Sequence, residues 1–418
     1  MENCTKFGVY LPKRDEIRHI LQNEPEANYI ISRAIEDVEH MNVFNEEVYY
    51  LVNSLADKCW DRIHTGHFSA VPLSVRKIYA LADYYKFFYL LCENDSKEQL
   101  MRCAEVLDEA ILIGCTQDLY ERSNNFQSEL TSFISKALDD DAANDLPVIT
   151  ELKRESVKCD IPMLDFPSLE DFRIKCFLPL QPALILNTIA HWPAMEKWRD
   201  LNYIHKLAGN RTVPIEIGAN YVTDEWSQQL VKVRDFLQRQ FKQTDVEIEY
   251  LAQHELFDQI PALKADIRIP DYCTLRTNVL DCTEPANVSI KALLGPKNTI
   301  SPLHYDPEHN LLCQVFGRKH VILAAPADTS KLYAHETEML CNTSLKKTKV
   351  YFQLTVHIFG CKEACTPLCC GNGTESSFNI YVIPFQCFHR CRCSAITYVK
   401  AEILYCYTHI KYEVSLPK

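Results

Sequence analysis

The chain carries the stretch Thr299-Ile300-Ser301-Pro302-Leu303-His304-Tyr305-Asp306-Pro307-Glu308-His309-Asn310, which concentrates side chains of the types that can bind a metal ion. In a β-strand, side chains two residues apart point to the same face. His304 and Asp306 are therefore predicted to aim an imidazole and a carboxylate at one point, with Tyr305 facing away. A third, distant histidine would complete the two-histidine, one-carboxylate set that holds Fe(II). Taken alone, a His-x-Asp pair also fits a chance pair or a histidine hydrogen-bonded to a nearby carboxylate.

A lysine follows this stretch at a distance that suits a negatively charged co-substrate. Lys319 comes fifteen residues after His304, just beyond the apolar run Leu311-Leu312-Cys313-Gln314-Val315-Phe316. If that run lies beside the metal-binding strand, the ammonium group of Lys319 can point into a barrel and meet a dicarboxylate. A solvated surface lysine is the alternative, and spacing alone leaves both open.

The segments around this stretch predict a mainly β domain. Short apolar runs with β-branched residues are broken by turn residues, as at residues 182–186, 213–217, 288–290 and 321–323. Such runs are typical of strands in a sandwich or a barrel. We therefore predict a β domain over residues 147–344.

The N-terminal part of the chain has a helical pattern instead. From about Pro25 to Leu138, apolar residues recur every three or four positions, which indicates amphipathic helices. Acidic and small residues from Leu138 to Pro147 predict a linker. The predicted fold class is therefore α+β, with a helical domain and linker at residues 1–146 before the β domain.

Residues 345–418 differ in composition from everything before them. They carry nine basic and four acidic residues and eight of the 19 cysteines, whereas residues 1–344 carry 35 basic and 52 acidic residues. One interpretation is a basic, cysteine-rich β segment that completes the β domain. The other is a tail from an alternative exon, a retained intron or a shifted reading frame. We favour the second, because so abrupt a shift is unusual within one folded unit.

The composition of the whole chain limits the class of protein. With 418 residues, 47% hydrophobic and 24% charged, the chain is predicted to be globular rather than disordered. Its formal net charge of −12 makes it a poor general partner for nucleic acid or anionic membranes. The first residues lack a secretory pattern, and no apolar run approaches the ~20 residues of a membrane span. We therefore expect an intracellular protein whose cysteines are free thiols.

Several motifs resemble those of the JmjC-domain oxygenases, and more narrowly the lysine-specific demethylase eight type, also described as an arginyl hydroxylase. The resemblance covers roughly residues 160–344. Its motifs are Ile300-Ser301-Pro302-Leu303-His304-x-Asp306-Pro307, Asn310, Gln314-Val315-x-Gly317-Arg318-Lys319, Leu332-Tyr333-x-His335-x-Thr337, Asn342-Thr343-Ser344, Tyr221-x-x-Asp224-Glu225-Trp226-Ser227-Gln228, Tyr250-Leu251-Ala252-Gln253-His254-x-Leu256-Phe257-Asp258-Gln259-Ile260-Pro261 and Ile269-Pro270-Asp271-Tyr272-Cys273.

The resemblance implies a double-stranded β-helix, the cupin-like fold, in which His304 and Asp306 bind Fe(II). It also implies 2-oxoglutarate as co-substrate, bound by a lysine and three hydrogen-bonding residues, namely Lys319, Tyr250, Ser301 and Asn310. The implied reaction consumes 2-oxoglutarate and dioxygen. It hydroxylates an arginyl side chain, or it demethylates a methyl-lysyl side chain through a hydroxymethyl product that releases formaldehyde.

Glu216 aligns with a carboxylate that this family uses near the basic side chain of the substrate. A buried glutamate can hold a guanidinium in a bidentate pair, which favours an arginyl substrate; an exposed strand carboxylate is the alternative. Trp226 is a candidate wall of the same pocket, or an ordinary core residue. The implied partner is a protein or peptide, with histones as one candidate. The expected location is the nucleus, with the cytoplasm as a second site.

The tail departs from the family pattern at the third iron ligand. The family places this histidine in an Ile-Pro-x-x-x-x-His pattern, which residues Ile383 to His389 match, 85 residues after His304. The usual Pro-Gly-Glu before this strand and the aromatic, serine-rich strand after it are missing. His389 is therefore either the third ligand in a diverged tail or a coincidence in a replaced one, and His357 and His409 are weaker candidates.

Three functions remain open at this point. The first is an active Fe(II)/2-oxoglutarate oxygenase, and the second is an inactive isoform or pseudoenzyme that acts as a protein-binding module. The third is a zinc-dependent interaction module built on the tail cysteines, whose spacings Cys361-x3-Cys365-x3-Cys369 and Cys387-x3-Cys391 are compatible with zinc. The family also tends to have an aromatic residue where this chain has Leu293-Leu294, so the substrate pocket is expected to differ.

Overall fold

The N-terminal part of the chain is helical, as its apolar pattern predicts. In the computed structural model, the helices are α1 (Arg14–Leu21), α2 (Pro25–Glu39), α3 (Glu46–His64), α4 (Leu73–Glu93) and α5 (Lys97–Gly114). The structure describes residues 7–9, 11–40, 44–66, 70–94, 96–114, 145–149, 161–218, 226–243, 246–275, 288–296, 299–304, 309–323, 333–335, 343–344, 354–360, 379–383 and 397–404. For residues 318–323, 354–360, 379–383 and 397–404 it describes the backbone only.

Helix α4 is the centre of this helical domain. It packs between α3 and α5, and most of its side chains are buried, including Tyr85, Phe87 and Phe88. Its buried tyrosines also find polar partners: the Tyr89 hydroxyl donates to the Asp37 carboxylate at 2.7 Å. A helix that is apolar on nearly all sides is expected at the centre of a bundle. The predicted helical domain is confirmed over α1–α5, whereas most of the predicted linker lies outside the described residues.

The second part of the chain is a β domain with short helices between its strands. The strands are β1 (Met163–Asp165), β2 (Ala183–Leu186), β3 (Thr212–Ile217), β4 (Ser227–Lys232), β5 (Glu249–His254), β6 (Val288–Gly295), β7 (Asn310–Leu323), β8 (Leu354–Gly360), β9 (Asn379–Ile383) and β10 (Thr397–Leu404). The helices are α6 (Leu169–Phe172), α7 (Ala194–Lys197), α8 (Leu201–Ala208), α9 (Val233–Lys242), α10 (Leu256–Gln259) and α11 (Pro261–Lys264), with a π-helical turn at Arg173–Phe177 and a 3-10 turn at Asp271–Thr274. The predicted apolar runs fall in β2, β3, β6 and β7, which confirms the α+β fold class.

The ten strands form one sheet in the order β1-β2-β9-β7-β10-β6-β5-β3-β4, with β8 paired to β7. Most neighbouring strands are antiparallel, but β1 runs parallel to β2, and β10 runs parallel to both β6 and β7. Strands β8, β9 and β10 come from the segment after residue 344, so this tail contributes backbone to the sheet. Whether the tail is native to the protein stays a prediction.

The sheet and its helices enclose a large apolar core. Trp198 is fully buried and stacks on Phe257 with ring centroids 5.8 Å apart. Leu146 also lies in this core, held by two hydrogen bonds between its backbone and the Asn202 side chain. The chain therefore joins the β domain by residue 146, close to the predicted start at 147, although the boundary itself stays a prediction.

Two further expectations concern cysteines and membranes. The six cysteines whose surroundings the structure describes (Cys59, Cys92, Cys103, Cys176, Cys273 and Cys313) are free thiols, as expected. The tail cysteines lie outside the described residues. Among the described helices, none has the length and apolar character to cross a membrane.

A buried carboxylate, Asp266, ties α7 and α8 to the loop after α11. It is 2% exposed, and it accepts hydrogen bonds from Lys197 Nζ at 2.7 Å, Trp198 Nε1 at 3.0 Å and the Tyr203 hydroxyl at 2.7 Å. These bonds satisfy a charge that would otherwise be costly to bury.

We predict that Asp266→Ala lowers the free energy of unfolding by about 3–5 kcal/mol, because it leaves the buried Trp198 indole and the half-buried Tyr203 phenol without this acceptor. Urea unfolding monitored by circular dichroism measures the change. The matched control is Asp258→Ala, which removes the exposed Lys264–Asp258 pair and should cost about 1 kcal/mol or less. Equal effects for the two variants would contradict the assigned importance of Asp266.

Candidate active site

One face of the sheet carries the residues predicted to bind substrate and co-substrate. On β3, Val213 and Ile215 point into the apolar core, so Glu216 points to the opposite face. Glu216 pairs with Gln228 of β4 on one side and with Tyr250 of β5 on the other. Residues directly opposite in neighbouring strands share a face and lie about 5 Å apart. The structure thus brings the predicted residues Glu216 and Tyr250 together.

Tyr250 continues this face onto β6 and toward the motif stretch. It packs with Leu293, one of the two leucines that replace the aromatic residue usual in the family. A Cβ atom added to Gly295 would lie 2.6 Å from Tyr250 Cδ2 and 2.7 Å from Thr299 Cγ2. Only a glycine therefore allows the Tyr250 ring to lie between β6 and the residues that lead to His304.

Glu216 lies in surroundings that disfavour its ionised form. The side chain is half-buried, and this burial raises the pKa of its carboxyl group. The indole of Trp226 lies near enough to oppose the rise, although its N–H does not reach the geometry of a hydrogen bond. A carboxylate in this state gains from a cationic partner, and a guanidinium could satisfy both of its oxygens at once.

Strand β7 contains a bulge that brings two predicted co-substrate residues onto one face. Leu311, Cys313 and Val315 lie in the core, as alternation requires, but Phe316 lies there as well. At the same place the pairing with β10 passes from Gln314 directly to Phe316. One extra residue reverses the alternation that follows. Residue 319 therefore shares a face with Asn310, although the two are nine positions apart.

Gly317 follows this bulge with a φ of +79°, a value that residues with a side chain rarely adopt. Sequence reasoning quoted Gly317 within a motif but missed its role. A glycine directly after an apolar run was the available signal for a bulge. The side chain of Lys319 lies outside the described atoms, so its predicted contact with 2-oxoglutarate stays a prediction.

His304 is held in an orientation suited to metal binding. Its Nδ1 lies 2.7 Å from the carbonyl oxygen of Pro302. A carbonyl can only accept, so Nδ1 carries a proton, and a metal ion would bind through Nε2. Sequence reasoning missed this role of Pro302, which a histidine two residues after the proline could not reveal by itself.

Three distant motifs pack together beside His304. His304 pairs with Thr343, and the Ser344 amide donates to the Leu303 carbonyl at 2.8 Å. On the far side of this segment the His335 amide donates to the Thr343 carbonyl at 2.9 Å. Thr343 and Ser344 thus support the segment that carries His304, and Thr343 is almost fully buried.

The remaining predicted site residues are placed as follows. Asn310 is buried at the start of β7, and Ser301 is exposed in the segment before His304. Asp306 and His389 lie outside the described residues. Within the described part, no group of three histidine, cysteine, aspartate or glutamate side chains could hold a metal ion. Of the proposed iron ligands the structure describes only His304, whose imidazole would bind a metal ion through Nε2.

Comparisons with known proteins agree with this arrangement. The family model of the cupin-like domain matches residues 170–406. The chain is 54% identical over 347 residues to Jumonji C domain-containing protein 5 of Drosophila melanogaster, covering 80% of this chain and 84% of that protein. It is 35% identical to lysine-specific demethylase 8 of Danio rerio, covering 69% and 72% of the two chains. It is 34% identical to lysine-specific demethylase JMJ30 of Arabidopsis thaliana, covering 69% and 71%.

We predict that Glu216→Gln has a higher free energy of unfolding than the unsubstituted chain, and that this difference grows as pH increases. The pKa of this carboxyl group is higher in the folded state than its ordinary value of 4.5, so ionisation above that value costs folded-state stability. Below pH 4.5, this carboxyl group is protonated in both the folded and the unfolded state, so the difference in the free energy of unfolding should vanish. Urea unfolding at about pH 4 and about pH 8 tests this, with exposed Glu196→Gln as control. A gain that is the same at both pH values would refute the buried, uncompensated state of Glu216.

Proposed function

Because the chain belongs to the JmjC family of cupin-like oxygenases, we propose that it is an active Fe(II)- and 2-oxoglutarate-dependent enzyme that oxidises basic side chains of proteins. The membership confirms the resemblance inferred from its motifs. Members of this family are Fe(II)/2-oxoglutarate oxygenases, and relatives named as lysine-specific demethylases indicate a protein substrate. The finer proposal for this chain is hydroxylation of an arginyl side chain or demethylation of a methyl-lysyl side chain.

The orientation of His304 is the observation that carries the proposal. The Nδ1 of His304 donates to the Pro302 carbonyl, so a metal ion would bind this imidazole through Nε2. His304 and Asp306 would hold Fe(II) together with a third histidine. Bound Fe(II), together with 2-oxoglutarate and dioxygen, supplies the oxidising power that replaces a C–H bond with C–OH.

The topology supports His389 as that third histidine. Ile383, the last residue of β9, pairs with Asn310, and Tyr398 in β10 pairs with Asn310 from the other side. The connection that carries His389 therefore leaves and re-enters the sheet beside Asn310, which follows Asp306 by four residues in the chain.

The residues of β5 and β7 are suited to bind the co-substrate. Asn310 and residue 319 share one face of β7 because of the bulge, so the Asn310 amide and the Lys319 ammonium could bind the same ligand. Tyr250 lies beside Gly295 and Thr299, at the beginning of the motif stretch. Lys319 would neutralise the distal carboxylate of 2-oxoglutarate, with Tyr250, Ser301 and Asn310 as hydrogen-bond partners.

Glu216 favours an arginyl substrate. Its half-buried carboxyl group, with a raised pKa, becomes stable as a carboxylate when a guanidinium arrives and forms two parallel hydrogen bonds. Trp226, next to Glu216, can cover the flat face of the same group. A methyl-lysyl ammonium offers fewer donors to this carboxylate. A histone is one candidate substrate and would place the protein in the nucleus, which cell fractionation can test.

We expect His304→Ala and Asp306→Ala each to abolish succinate formation from 2-oxoglutarate, because the metal loses a ligand. Lys319→Ala should instead raise the KM for 2-oxoglutarate about tenfold or more, because it loses the counter-charge. Mn(II) titration by calorimetry separates lost metal binding from lost turnover, and His389→Ala examines the third ligand. Exposed His191→Ala is the control and should behave as the unsubstituted chain. Turnover that survives either ligand change would overturn the metal assignment.

The two reactions leave different products, so one assay can separate them. With matched peptides that carry arginine or methyl-lysine, we expect the arginyl peptide to gain the mass of one oxygen atom. Glu216→Gln should lower kcat/KM for that peptide about 10–100-fold, because the bidentate charged pair is lost. Glu196→Gln serves as control. Formaldehyde release from the methyl-lysyl peptide, with an unchanged arginyl peptide, would assign demethylation instead.

A further inference from the structure

A buried ion pair joins the helical domain to the β domain. Asp108 on α5 is 0% exposed and Arg211, just before β3, is 1% exposed. The Arg211 Nε donates to both carboxylate oxygens of Asp108, at 3.0 and 3.1 Å, and its Nη2 donates to Oδ1 at 2.5 Å. The pair joins residues 103 positions apart in the chain.

The same carboxylate also holds the backbone of β3. The Thr212 amide donates to Asp108 Oδ2 at 2.7 Å. Gln259 of α10 donates from Nε2 to Asp108 Oδ1 at 2.8 Å and to the Thr212 carbonyl at 2.7 Å. Both backbone groups of the first residue of β3 are thus fixed by this cluster of Asp108, Arg211 and Gln259, which we call the Asp108 cluster.

The Asp108 cluster reaches β5 as well. His254, the last residue of β5, lies with Nε2 at 2.6 Å from Gln259 Oε1. The amide nitrogen of Gln259 is already donating, so its oxygen accepts here and His254 Nε2 carries the proton. Burial lowers the pKa of His254, which favours this neutral imidazole. One carboxylate from the helical domain therefore controls an end of each of two neighbouring strands.

Strands β3 and β5 each carry a predicted site residue four positions from the residue that the Asp108 cluster holds. Glu216 follows Thr212 by four residues along β3, and Tyr250 precedes His254 by four residues along β5. Four residues of a regular strand, as in β3, span roughly 13 Å, whereas the pairing of β5 with β6 shifts register between Leu251 and His254. Glu216 and Tyr250 are also paired across the two strands. A shift of β3 against β5 at the Asp108 cluster would therefore move the two side chains relative to one another.

The chemistry of the Asp108 cluster is better suited to fixing the position of β3 than to attaching one domain to the other. Apolar residues of similar volume can hold two elements together as strongly as a buried ion pair does. A bidentate ion pair with backbone hydrogen bonds tolerates little sliding, whereas apolar contacts tolerate more. The same interface also contains an ordinary ion pair between Lys232 of β4 and Glu105 of α5, which is partly exposed.

We propose that Asp108 is a positioning residue through which the helical domain sets the register of β3 and β5, and with it the positions of Glu216 and Tyr250. The consequence for turnover rests on the proposed function, whereas the effect on the strands does not. The helical domain is then part of the working enzyme, in contrast to a separate binding module joined by a linker.

The test compares full-length Asp108→Asn with the control Glu105→Gln, which removes the partly exposed ion pair of the same helix and interface. Hydrogen exchange measured by mass spectrometry should rise about tenfold in peptides covering β3 and β5 of Asp108→Asn, and stay unchanged in α3. In parallel, KM for the peptide substrate and for 2-oxoglutarate should each rise about tenfold. Glu105→Gln should change neither exchange nor KM.

A double variant separates positioning from stability. Asp108→Asn with Arg211→Gln removes both buried charges, so it should recover thermal stability lost by the single variant but keep the raised exchange and KM. Recovery of exchange and KM together with stability would overturn the proposal, as would unchanged exchange in Asp108→Asn. If Asp108→Asn does not fold, Asp108→Glu gives the same readouts with the charge retained. If the unsubstituted chain shows no turnover, the proposed function fails, and the exchange data still decide the role of Asp108.

Discussion

The alternation of side chains along β-strands is the constraint on which this structure depends. Each central strand must bury one face in the apolar core around Trp198, and its other face can then carry the side chains of the candidate site. On β3 the core takes Ile215 and leaves Glu216 for the site. On β7 the same rule puts Asn310 on the face away from the core. Unbroken alternation would put residue 319 on the opposite face from Asn310. The bulge before Gly317 places the two positions on one face instead.

The local pattern of the sequence predicted the elements better than their connections. Helices and strands follow from apolar periods of about 3.6 and 2 residues, which depend on neighbours alone. The bulge in β7 could not be read this way, because the run Leu311 to Phe316 is apolar at nearly every position. The His304 motif was informative because both predicted ligands, His304 and Asp306, lie within three residues. The orientation of His304, by contrast, depends on the Pro302 carbonyl and on strand pairing with Thr343, 39 residues away.

The Asp108 cluster shows a different limit of sequence reasoning. Asp108 lies among the buried residues of α5, next to Leu107 and two positions from Val106 and Ala110. A carboxylate within an apolar stripe is a signal that a buried partner exists. Nothing in the local sequence says that the partner is Arg211 in another domain, because only the packing of α5 against β3 brings the two together. This is why a linker could be predicted from composition while the close coupling of the domains could not.

The tail has to meet two separate requirements: it must complete the sheet, and it must supply the third iron ligand of the proposed site. Strand β9 lies between β2 and β7, and β10 lies between β6 and β7, so the sheet needs both to avoid unpaired edges. Backbone hydrogen bonds do not depend on side-chain identity, and the run Thr397–Leu404 has the β-branched and alternating residues of an ordinary strand. A tail of unusual composition can therefore complete the sheet. Iron binding is stricter, since it depends on one histidine at one place, and completion of the fold by this tail does not by itself supply that ligand.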